Sequence, residues 1–248
     1  MLARHDHRAR RAAVTERYSE DVAKLIGKLH ACLSFDKLRM TERSAGRRFD
    51  HDYGVTTQAL LFLDDLDPDA VGDAGAHATH YEAVPVDDFR EMMSDVPADV
   101  IAASTFVDIG SGMGRAILLA SEYPFKQIVG VELSPSLHEV AKDNLARATA
   151  AFERRCHDIR LVRDDARIFE YPPGDVVAFL YNPFDAIALE ATLGALLARR
   201  QCGETWLLYH TPLDDIEADP AWEVKRFRER RGLSASRYLT AHRRRQNP

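Results

Sequence analysis

Three carboxylates stand where apolar runs end. Phe106-Val-Asp-Ile-Gly-Ser-Gly-Met-Gly-Arg115 reads as a buried strand, a glycine-rich turn and a helix start, with Asp108 just ahead of the turn. Gly130-Val-Glu132 ends a second strand in an acid, and Asp164-Asp165-Ala166 follows a third. This order is how an open α/β sheet builds a nucleoside pocket beyond its strand tips. Gly110, Gly112 and Gly114, with Ser111 among them, let backbone approach a ligand, and the next helix offers free N–H groups. Glu132, with Leu133 beside it, is placed to accept both ribose hydroxyls; a surface acid capping the next helix is the plainer alternative. Asp165 is placed to accept from an adenine amino group, Ala166 leaves room for the ring, and Asp164 is a solvated neighbour.

The turn disfavours a dinucleotide. A pyrophosphate-binding turn wants Gly-x-Gly-x-x-Gly, and the last of those places is filled by Arg115. Asp108 would repel two phosphates but welcome a sulfonium-bearing amino acid. The expected cofactor is S-adenosylmethionine (SAM), with S-adenosylhomocysteine as product, and NAD is the poorer fit. A fourth element, Tyr181-Asn182-Pro183-Phe184, follows a fully apolar strand. Asn182 offers an amide oxygen to an amine, Pro183 stiffens the turn and Phe184 walls the site; the bland alternative is an ordinary Asn-Pro turn. Tyr81, or Tyr209 at the end of a fifth strand, is a candidate phenolic helper. No His/Asp/Glu set has ligand spacing, so no metal is expected.

The elements that must hold these residues alternate. Strands are expected over 104–109, 127–132, 158–162, 176–181 and 205–210, and helices over 84–95, 114–122, 135–151 and 185–200. Ser134 is a candidate N-cap and Pro135 suits a first helical turn. Two extended runs, 222–228 and 236–242, close the chain as an antiparallel pair. The fold class is therefore α/β: a Rossmann-like, seven-stranded, mostly parallel sheet with helices on both faces. An amphipathic helix from Val14 to Leu33 lies outside that core, residues 34–66 are mixed, and 67–77 read as a surface connector. Residues 1–83 are assigned to an N-terminal helical extension or lid, and 84–248 to the core.

The 248 residues include 46% hydrophobic and 29% charged positions, an ordinary soluble balance. No apolar run reaches the roughly 20 residues that span a bilayer. Cys32, Cys156 and Cys202 are scattered, which suits a reducing compartment and a cytoplasmic location. A net charge of −6 argues against nucleic acid as a partner of the body, although both termini are basic.

The four elements together resemble class I SAM-dependent methyltransferases over about Thr79 to Thr240. Within that superfamily, His80-Tyr81-Glu82 is similar to an element of the disruptor-of-silencing type of lysine methyltransferases. That likeness implies SAM contacts for Tyr81 and Glu82, although no glycine separates the two here. Phe49-Asp50-His-Asp-Tyr53-Gly54-Val55-Thr-Thr57, Ser121 to Phe125 and Tyr-Asn-Pro-Phe are similar to bacterial class I enzymes whose acceptors the likeness does not supply. The resemblance implies methyl transfer to an acceptor, with an amine nitrogen favoured, on a small molecule, peptide or protein lysine. The rival is a scaffold that binds SAM or a nucleotide without turnover.

Overall fold

A computed structural model describes residues 44–62, 80–148, 153–181, 185–210, 221–229 and 237–243. All of these fall in one compact unit, residues 43–230 with 236–248; a second unit, 1–42 with 231–235, lies outside the described residues. So do the helix expected over Val14–Leu33, the connector 67–77 and Asn182, Pro183 and Phe184.

Seven strands form one sheet: β3 (Thr105–Ile109), β4 (Gln127–Glu132), β5 (Ile159–Arg163), β6 (Gly174–Tyr181), β7 (Cys202–His210), β8 (Glu223–Glu229) and β9 (Arg237–Arg243). Their order is β5-β4-β3-β6-β7-β9-β8. The first five strands pair in parallel, and β9 pairs antiparallel with both β7 and β8. The expected Rossmann-like sheet with a terminal antiparallel hairpin is the one formed. Successive strands step outward from β3 to β4 and β5, then return to its other side as β6 and β7. The order reverses beside β3, and at such a switch point the diverging loops leave a crevice beyond the strand tips.

Strand alternation divides the core in two. Phe106, Ile128, Val177, Phe179, Trp206 and Leu208 face helices α2 (Val86–Met93) and α4 (Arg115–Ser121). Val107, Ile109, Val131, Ala178, Leu207 and Tyr209 face the other way, toward α6 (Ala186–Leu197). Helix α5 (Pro135–Arg147) begins as expected: Ser134 caps it by accepting from Leu137 N–H at 3.3 Å, with Pro135 in the first turn.

Four elements differ from the sequence expectation. Residues 44–53, within the stretch read as mixed, form a helix (α1). Leu60–Phe62 (β1) and His80–Glu82 (β2) form a separate antiparallel pair. A short helix, α3 (Ala98–Ala103), lies between the helix expected over 84–95 and β3, where no element was expected. Among the described residues, no helix is long and apolar enough to cross a membrane.

Candidate cofactor and acceptor site

The site is built on the carboxyl ends of β3 and β4. Gly110, Gly112 and Gly114 take φ values of 76°, 53° and 86°, which side chains rarely adopt, so the strand can turn at once into α4. Gly112 is required twice over. A Cβ there would stand 2.2 Å from the Tyr81 ring. The main-chain N–H groups of Gly110 and Ser111 donate to the Val131 carbonyl at 2.9 and 3.0 Å, tying the turn to β4.

Glu132 braces the same turn from below. Its Oε2 accepts from Gly112 N–H at 2.7 Å and its Oε1 accepts from Ser134 N–H at 2.8 Å. Burial pushes its carboxyl pKa up, while the N–H groups of Ser134, Gly112 and Leu133 pull it back. Asp108 lies at the tip of β3 on the same sheet face, 3% exposed. Its Oδ2 is buried and accepts no hydrogen bond among the described residues. Burial first, and the Glu132 charge second, push the Asp108 carboxyl well above the usual range. A buried carboxylate without a partner is costly. The two acids therefore stand together at the strand tips, where a cation or a hydroxyl donor would relieve the unpartnered Asp108 oxygen.

The third acid is already engaged. Both oxygens of Asp165 receive the Arg167 guanidinium, at 2.7 to 3.1 Å, and Oδ1 also accepts from Arg167 N–H at 2.9 Å. Ala166 is buried next to it, its carbonyl accepting from the Tyr171 hydroxyl at 2.8 Å. Leu133 and Glu82 are half-buried, and Ser111 is buried in the turn.

The structure places the two tyrosines differently from each other. The Tyr81 ring lies against the glycine turn, but its hydroxyl donates to the Thr57 carbonyl at 2.7 Å and burial pushes its pKa up. Its ring packs on Gly112, and its oxygen also takes a backbone hydrogen bond from Met113 within the turn. Tyr209 is 1% exposed and belongs to the core on the α6 side of the sheet. The next residue, His210, has the opposite parity and shares a face with Asp108 and Glu132.

Two supporting groups were not foreseen. Arg115 is 2% exposed: its Nε donates to Thr57 Oγ1 at 2.7 Å, and its fork reaches Gln58 Oε1 and the Val84 carbonyl at 3.1 and 3.3 Å. It also stands over the Phe49 ring, 5.4 Å from its centroid. Asp50 completes the knot, accepting from Thr57 and Gln58 N–H at 2.7 Å each and from Thr57 Oγ1 at 2.5 Å. The Phe49-Asp50 to Thr57 motif is thus a clamp that fastens α1 and the following loop to the start of α4. Asn144, fully buried on α5, joins the loop to the turn by bonds to Thr56 N–H and C=O, both 2.8 Å, and to the Met113 carbonyl at 2.9 Å. Only the polar residue types hinted at these roles; the partners are remote in sequence.

No family model and no curated protein matches this chain. Among solved structures, the chain is similar to the Escherichia coli protein yhhF, assigned as a methyltransferase, at 22% identity and a TM-score of 0.49, over 64% of this chain and 86% of that one. It is similar to magnesium protoporphyrin IX methyltransferase of Synechocystis PCC 6803, with bound SAM, at 16% identity and a TM-score of 0.46, over 64% and 77% of the two chains. Ribosomal protein L11 methylase of Lactobacillus delbrueckii matches at 14% identity and a TM-score of 0.43, over 64% and 80%. Likenesses at this level decide nothing about mechanism. The chemistry must come from this chain's own residues.

Proposed function

We propose that this chain is a SAM-dependent methyltransferase, acting on an amine nitrogen of a small molecule, peptide or protein lysine. The observation that carries the proposal is the buried Asp108–Glu132 pair beside a turn of three left-handed glycines, at the switch point of the sheet. When bound, SAM supplies a methyl carbon on a sulfonium that is already a good leaving group. The protein's part is to orient and to exclude water.

Glu132 would accept from the ribose hydroxyls with the lone pairs left by its backbone N–H donors. Asp108 would hold the ammonium, directly or through water. Ala166 would border the adenine, with Asp165 accepting from its amino group only as far as Arg167 allows. Tyr81, backed by Thr57, would close the turn from above, with Glu82 beside it. Asn182 and the Tyr181 carbonyl would orient the N–H bonds of an uncharged amine, with Pro183 and Phe184 bordering it. That turn lies outside the described residues, so its role rests on its position after β6.

Calorimetric titration of the full chain with SAM, and separately with NADH, tests the reading. Binding of SAM and not NADH is expected; a preference for NADH overturns it.

A further inference from the structure

The glycine turn is held by a loop more than fifty positions earlier in the chain. Gly112 is covered by the Tyr81 ring. Met113 has both of its main-chain groups taken: its N–H donates to the Tyr81 oxygen, and its carbonyl accepts from the Asn144 amide at 2.9 Å. The same Asn144 side chain is bonded to the N–H and the carbonyl of Thr56, both at 2.8 Å. Arg115, the first residue of α4, donates from Nε to the Thr57 hydroxyl at 2.7 Å. All of these contacts lead back to Thr56 and Thr57.

Thr57 is fully buried, and each of its polar groups is used. Its carbonyl accepts from the Tyr81 hydroxyl and its N–H donates to Asp50 Oδ2, both at 2.7 Å. Its hydroxyl donates to Asp50 Oδ1 at 2.5 Å while accepting from Arg115. A hydroxyl set between a carboxylate and a guanidinium has one orientation that satisfies both. Gln58 repeats the pattern, its N–H donating to Asp50 at 2.7 Å and its Oε1 accepting from Arg115 at 3.1 Å. Arg115 reaches α1 directly through the Gly46 carbonyl at 3.4 Å and Asp50 at 3.5 Å. A satisfied buried network of this kind specifies a single arrangement of the loop. The turn needs such a support, since its three left-handed glycines have no side chains of their own to restrain them.

We propose, resting on the methyl-transfer reading, that Thr57 is a positioning residue for the cofactor. By fixing the Tyr81 oxygen, it keeps the ring seated on Gly112 and the turn in one conformation before a ligand arrives. A turn that is already ordered loses less freedom when the cofactor binds, and that difference appears as affinity. Thr57 acts through Tyr81, and Asp50 and Arg115 act through Thr57. Residues 46–58 are then part of the cofactor half of the site, and the core from residue 84 onward is incomplete without them.

The test is a double-mutant cycle in the full chain, read by calorimetric titration with S-adenosylhomocysteine and accompanied by melting curves. Thr57→Val keeps the shape and the carbonyl but removes the hydroxyl. Tyr81→Phe keeps a ring on Gly112 but removes the oxygen that Thr57 holds. Each single change should weaken binding by about 5- to 30-fold, and the double variant should bind little worse than either, because both cut the same connection. Thr57→Ser, which retains the hydroxyl, should bind close to wild type. A lowered Tm with unchanged affinity in the single variants, or effects that add in full, overturns the positioning role and leaves the cofactor site intact. If Thr57→Val does not fold, Tyr81→Phe decides: unchanged affinity in that variant overturns the proposal. Failure of the wild-type chain to bind S-adenosylhomocysteine overturns the methyl-transfer reading itself.

Discussion

Replacing Asp108 by Asn should stabilise the protein while destroying the cofactor site. Asp108 is 3% exposed, its Oδ2 has no hydrogen-bond partner among the described residues, and a second buried acid, Glu132, faces it. An unsatisfied buried polar group costs about 1–3 kcal/mol, and more when charged. Removing the charge should therefore raise stability at neutral pH by about 1–3 kcal/mol, or about 2–12 °C in Tm for a chain of this size. The pH dependence has a definite sign. A carboxyl whose folded pKa is raised contributes its full stability below its unfolded pKa and loses it as pH rises through the folded value. The Tm advantage of Asp108→Asn over wild type should accordingly be small in acid and widen toward alkaline pH. In the same fluorescence melts, SAM should raise the wild-type Tm and leave the variant's unchanged. A variant that melts lower than wild type at every pH, or still responds fully to SAM, would refute the reasoning.

Other substitutions separate the remaining contacts. Glu132→Ala should weaken SAM binding by about 1–3 kcal/mol in calorimetry, because it removes an acceptor of both ribose and turn. Asp165→Ala should cost less in the same titration, since Arg167 already occupies both oxygens. Arg115→Met should lower stability by about 3 kcal/mol in denaturant melts and open residues 46–58 to limited proteolysis, because it leaves Asp50 and Thr57 without their cation. Gly112→Ala should impair both Tm and SAM affinity, since φ is +53° and the Tyr81 ring fills the space.

What the sequence made legible follows from how local each signal is. Phe106-Val-Asp-Ile-Gly and Val176 to Tyr181 are apolar runs broken by turn residues, so the parallel strands could be read directly. Ser134-Pro135 marked its helix start because capping is a contact three residues long. Helix α1 was hidden, since Phe49 and Tyr53 give it too narrow an apolar face to stand out. Arg115 was readable only as an obstacle to a dinucleotide; its positive role depends on Thr57 and Gln58, more than fifty positions away. Tyr209 was a candidate because it ends a strand, but strand parity, which a shift of one residue reverses, turns it into the core on the α6 side. Arg167 could have been suspected as a partner for Asp165 from its spacing alone.

The most direct measurement is a structure of the full chain with S-adenosylhomocysteine. The ribose hydroxyls should lie within hydrogen-bonding distance of Glu132, and the amino-acid ammonium should lie beside Asp108 over the Gly110–Gly114 turn. A ligand bound elsewhere, with Asp108 still buried and unpartnered, would contradict the account.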